Sequence, residues 1–166
     1  MPSQRPFIMD SISKKKVLKW LFEEGFKPIA TSVAGSKLDI GISVAGCEMQ
    51  VTENARGDAI LVRSNFVFNS YQADLFARME HKTKMEYLWD LRLRLLGNNE
   101  VGAFQLKGSS RGIEALVQAR GIFRDGLTKD RLIQSVLVVH KSITMASWLL
   151  EKYAGADEPK GTASYM

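Results

Sequence analysis

The stretch Leu127–Tyr153, LTKDRLIQSVLVVHKSITMASWLLEKY, constrains the fold more than any other part of the chain. Its periodicity is that of one helix of about seven turns. Leu132, Val136, Val139, Ile143, Ala146, Leu150 and Tyr153 recur at alternating steps of four and three and share one face, which Ile133, Leu137 and His140 widen. Thr128 stands where an N-cap belongs, and Asp130 lies in the first turn, where negative charge meets the positive end of the helix dipole. Lys152 in the last turn and Gly155 just beyond it mark the other end. A second face carries Gln134, Val138, Lys141, Met145, Trp148 and Lys152, a mixture of apolar and polar residues. Such a helix needs two packing partners: a sheet, and either a neighbouring helix or another subunit. A membrane span needs about 20 mostly apolar residues and tolerates central charge poorly. Lys141 falls mid-helix, so no membrane partner is expected.

The bulk properties exclude several classes. A chain of 166 residues is long enough for one domain with a real core, and 45% hydrophobic with 25% charged residues is ordinary for a globular protein. The net charge of +5 permits contact with nucleic acid without requiring it. Cys47 is the single cysteine and there are two histidines, so an internal disulfide is impossible and a Cys/His zinc site is not expected. MPSQRPFIMDS at the N-terminus lacks the apolar core of a secretion signal, which makes the cytoplasm the expected location.

Along the chain, residues 1–9 read as a flexible arm, 10–154 as a single domain and 155–166 as a disordered tail. Asp10 is placed to cap a helix from about Ser11 to Glu24 that buries Val17, Leu18, Leu21 and Phe22 and ends at Gly25. Lys14, Lys15, Lys16 and Lys19 crowd its outer side, either as a solvated face or as a basic patch for a phosphate backbone or an acidic partner. Ile29–Val33 has the makings of a short extra strand. Three strands then alternate in period two: Leu38–Val44, Cys47–Thr52 and Ala59–Phe68, joined by tight turns at Ala45-Gly46 and Ala55-Arg56-Gly57-Asp58. Asn69 or Ser70 caps a second long helix to about Leu96, burying Tyr71, Leu75, Phe76 and Met79 and then Leu88, Leu91 and Leu95, with at most a slight break over Glu80–Lys84. Val101–Lys107 and Ile113–Phe123 are two further strands around the loop Gly108–Gly112. The expected fold is α+β, a single antiparallel sheet of about five strands with helices on one face, in the order α-β-β-β-α-β-β-α.

No constellation points to catalysis, a metal or a cofactor. His81 sits in a charged stretch and reads as solvated. His140, on the edge of an apolar face, fits an interior or interface role better than that of a base. Cys47 begins a strand on its inward side, and a reactive thiol needs an electropositive setting. Gly108-Ser-Ser-Arg-Gly112 has the composition of a phosphate loop but not its order, and a strand follows it rather than a helix. Arg56-Gly57-Asp58 reads as a turn; Asp125 and Asp130 serve a turn and a cap. Trp20, Phe66 and Phe68 are aromatics that could stack on bases if exposed, but no RNP-like or GxxG signature accompanies them.

The element order, with the segment Asp125-Gly-Leu-Thr-Lys-Asp-Arg-Leu132 leading into a long apolar helix, resembles an uncharacterised archaeal protein family whose fold is similar to that of type III secretion chaperones. The resemblance covers roughly residues 10–153. It implies a small homodimer that binds a protein client, pairing largely through the second long helix and holding the client near the first helix and the meander. Expected client-binding residues are Trp20, Phe66 and Phe68, and expected dimer-interface residues are Tyr71, Leu75, Trp89, Met145 and Trp148. The basic charge departs from secretion chaperones, which are usually acidic. The reading is therefore a non-enzymatic macromolecule-binding protein of chaperone or adaptor kind. A basic nucleic-acid module and an enzyme with an unrecognised site are the alternatives.

Overall fold

A computed structural model of the protein describes residues 14–31, 38–97, 103–109 and 112–155. The expected arm at 1–9, the cap Asp10, the helix stop at 98–99, Ser110 and Arg111 of the loop, and the tail at 156–166 lie outside the described residues. The elements are α1 (Lys14–Glu23), β1 (Lys27–Thr31), β2 (Asp39–Val44), β3 (Cys47–Glu53), β4 (Ala59–Val67), α2 (Ser70–Arg78), α3 (His81–Gly97), β5 (Ala103–Ser109), β6 (Gly112–Phe123) and α4 (Lys129–Tyr153). The six strands form one antiparallel sheet in the order β1-β2-β3-β4-β6-β5. The α+β architecture is as expected, with one strand more: β1 begins two residues before the anticipated Ile29 and carries a register shift between Pro28 and Ala30.

Local chemistry sets the element ends. Val44 pairs with Cys47, leaving the two-residue turn Ala45-Gly46 with φ of 48° and 81°. Two successive positive φ values give the primed turn whose twist matches a hairpin. α1 ends as its sequence requires: Gly25 adopts φ 80°, its N–H donates to the Phe22 carbonyl, and the Phe26 N–H reaches back to that of Leu21. Thr128 Oγ1 accepts from the Arg131 N–H at the start of α4. Asn69 forms a reciprocal capping box with Gln72 at the start of α2. The expected second long helix is two helices, because Met79 takes an extended conformation with ψ 144°. The break covers Met79 and Glu80, at the start of the polar stretch where a slight break was anticipated. Lys84 then donates to the Ala77 carbonyl across it at 3.1 Å.

α4 lies across the helix-covered face of the sheet and contacts β4, β6 and the other three helices. It is long and apolar enough to cross a membrane, but half of its most apolar window is buried inside the fold, the mark of a central core helix. Its N-terminal half packs with α1 and β2–β4 through Leu132, Val136, Val139 and Ile143. Its C-terminal half packs with α2, α3 and Leu116 through Ala146, Leu149 and Leu150. Polar residues lie between these two apolar clusters: Ser64 and Gln118, directly opposed on β4 and β6, are both buried. Gln118 Nε2 donates to the Val139 carbonyl of α4 at 2.9 Å. At the sheet's far end Arg124 and Glu53 form an ion pair at 2.6 Å, largely shielded from water.

Some expected core residues lie outside the core. Phe22 is 73% and Tyr71 57% exposed, because each sits on the turn of its helix that faces away from the sheet. Gln72 and Tyr87 occupy buried places instead. The Tyr87 hydroxyl donates to the Ala146 carbonyl at 3.2 Å, and its ring meets Phe76 and Tyr153 edge-on.

Candidate partner-binding surface

α4 buries one face and leaves the other to line an open groove of about 1280 Å³. His140, Lys141, Thr144, Met145, Trp148 and Lys152 face it. At 100° per residue they span an arc of about 140°, one continuous flank of the helix. Ala45 and Cys47 come from the β2–β3 hairpin, Phe66 and Val67 from the end of β4, Asn69 and Gln72 from the start of α2, and Arg94 from α3. Gln72 is fixed by its capping box and by donation from Nε2 to Ser147 Oγ at 3.2 Å, which ties α2 to α4 beside the groove.

The groove combines apolar surface with positive charge. Phe66, Met145 and Trp148 carry its apolar character, and Trp148 is 59% exposed. Lys141 and Lys152 supply the charge, Arg94 being paired with Asp90, and no carboxylate lines the groove among the described residues. Asp90, on α3, is turned aside: Arg94 Nε donates to it at 2.8 Å and the Tyr153 hydroxyl at 3.1 Å. The Arg94 hydrogen bond leads in holding the Asp90 carboxyl below its usual range. Cys47 and His140 both line the groove, but burial raises the thiol's pKa and lowers the imidazole's, which favours the uncharged form of each. Such a pair is a poor thiolate–imidazolium nucleophile. Among the described residues no group of three His, Cys, Asp or Glu is placed to hold a metal.

The sequence-derived residues scatter over the molecule. Phe66, Met145 and Trp148 meet in the groove. Phe68 is buried beneath it with its ring edge-on to Phe66, so it meets no partner directly. Trp20 is half-buried on α1 against the core, with Lys16 Nζ 4.9 Å from its ring centre. Leu75 is half-buried and Tyr71 exposed on α2. Of the basic patch, Lys15, Lys16 and Lys19 are exposed and Lys14 is half-buried. Acidic groups lie close to it: Lys19 pairs with Glu23, and Lys129 Nζ bridges Glu23 and Glu24 at 2.9 and 2.7 Å.

Trp89 belongs to a feature the sequence reading missed. Met85, Trp89, Leu93 and Leu96 are 38%, 57%, 62% and 67% exposed. They fall within an arc of about 80° on α3, away from its buried Tyr87, Leu91 and Leu95. α3 is apolar on two sides, and its sequence alone does not say which side meets the core.

Among the described residues these features define an α+β protein with a six-stranded antiparallel sheet under four α-helices and a large apolar, cation-rimmed groove. Residues 13–150 match the model of the family described as "Uncharacterized conserved protein (DUF2299)", and the chain belongs to that family. Among solved structures, a protein from Methanothermobacter thermautotrophicus is similar over 85% of this chain and 98% of its own, with 22% identity and a TM-score of 0.74. YbjN from E. coli is similar over 87% of this chain and 94% of its own, at 13% identity and a TM-score of 0.51. The Yersinia pestis type III secretion chaperone SycH, solved with a fragment of YscM2, follows at 10% identity, 80% and 98% coverage and a TM-score of 0.48. No curated protein matches the sequence. At these identities the likeness concerns the fold, and function rests on the residues of this chain.

Proposed function

We infer that the protein is a non-enzymatic, cytoplasmic binding protein of chaperone or adaptor kind, which pairs with itself and holds a segment of another protein. The observation that carries this reading is the groove along α4, where exposed Trp148 and half-buried Phe66 and Met145 come together. An apolar groove of this kind suits an extended or helical segment laid along it. The exposed stripe of α3 supports self-association, since one helix face laid on its copy gives the self-complementary contact of a two-fold dimer.

Nucleic-acid binding is the weaker reading. The lysines of α1 lie beside Glu23 and Glu24, Phe68 is buried, and Trp20 packs on the core. The test is purification of the tagged protein at native abundance from the cells that make it, beside a Trp148→Glu variant. A defined protein recovered with the wild type and lost from the variant supports the reading. A nuclease-sensitive species recovered with both rejects it.

A further inference from the structure

We propose that the groove along α4 takes an acidic, apolar-rich segment of its partner protein, and that Lys141 and Lys152 select it. This deepens the protein-binding reading above and rests on it. The lining carries Lys141, Lys152 and Arg94 and, among the described residues, no carboxylate. Asp90 and Glu151 stay out of the lining, but Asp90 pairs with Arg94 and its charge reaches Lys152, so Lys141 and the remaining charge of Lys152 are what a partner meets. Lys141 and Lys152 lie three turns apart on one flank of α4, with Met145 and Trp148 between them. A segment laid along the helix therefore meets a cation, an apolar patch and a second cation in turn.

The matching chemistry is a segment with carboxylates flanking aliphatic or aromatic side chains. The apolar patch contributes contact area, and the cations penalise partners that bring positive charge. A polyphosphate strand fits less well, because Phe66 and Met145 offer nothing to a phosphate backbone. One exposed tryptophan is a short platform for successive bases.

The test uses the full chain and fluorescence anisotropy with three labelled peptides: one alternating Glu and Asp with Leu and Phe, one with Gln and Asn in place of the acids, and one with Lys in their place. The acidic peptide should bind roughly tenfold more tightly than the amide version and the lysine version least. Lys141→Glu with Lys152→Glu should abolish or invert that order. Both side chains are exposed on a helix, and far-UV circular dichroism checks that the variant folds. Equal binding of acidic and amide peptides overturns the charge selection and leaves the protein-binding reading standing. Binding of oligothymidylate with steep salt dependence, and of no peptide, overturns both. Absence of all binding overturns the present proposal, and the Trp148→Glu purification then decides the broader one.

Discussion

Gln118 gives the sharpest prediction about stability. It is 1% exposed on β6, opposite Ser64, where the two apolar clusters meet. Its Nε2 donates to the Val139 carbonyl, while its Oε1 and the Ser64 hydroxyl have no hydrogen-bond partner among the described residues. Replacing Gln118 with Leu keeps the volume and removes one hydrogen bond, a loss of about 1 kcal/mol. It also removes a buried acceptor whose desolvation costs about 1–3 kcal/mol, and it adds apolar burial. The Val139 carbonyl sits inside α4 and keeps its helical partner, so nothing is orphaned. The sum favours Gln118→Leu by about 1–3 kcal/mol. At this chain length that corresponds to a rise in Tm of very roughly 2–12 °C. Gln118→Ala leaves a cavity instead and should lower stability by about 1–3 kcal/mol. Urea unfolding followed by circular dichroism measures both. A Leu variant less stable than wild type by more than about 1 kcal/mol would refute the reasoning and mark Gln118 as fully satisfied.

Other outcomes follow from the same geometry. Gly25→Ala should cost about 1 kcal/mol, because φ is +80° there; a Cβ would meet nothing within 4 Å, so the loss is conformational, and an unchanged urea midpoint would contradict it. His140 has its pKa lowered by burial, so the unfolded chain binds the proton first. Its contribution is complete above the ordinary histidine value and is lost as pH falls through the window just below it. Urea midpoints at pH 7.5 and about 5.5 should therefore differ more for wild type than for His140→Gln. Leu93→Glu, on the 62%-exposed position of the α3 stripe, should convert a dimer to a monomer in size-exclusion light scattering without loss of helicity; a wild-type monomer would remove the self-association reading.

Much of the fold was legible because strong local signals coincide. The Thr128 cap, the four-and-three spacing of α4, the period-two strands and Gly25 each fix one element without help from distant contacts. What was not legible depends on tertiary packing. Whether Phe22 and Tyr71 face inward is decided by where the sheet lies, not by their own helices. The bend at Met79 carries no Gly or Pro to announce it. The groove is assembled from β2–β3, β4, α2, α3 and α4, so no window of sequence contains it. Met145 and Trp148 could be singled out because they sit on the second face of α4, but Arg94 joins them only through the docking of α3 on α4.

The most direct test of the account is site-specific photo-crosslinking in the cells that make the protein. A photoreactive phenylalanine replaces Trp148 in the groove, and a control replaces Glu48, exposed on the opposite face of the sheet. The account predicts a discrete protein adduct from position 148, absent from position 48, that shrinks when Lys141 and Lys152 are both changed to Glu. No adduct at 148, or the same adducts from both positions, would contradict it.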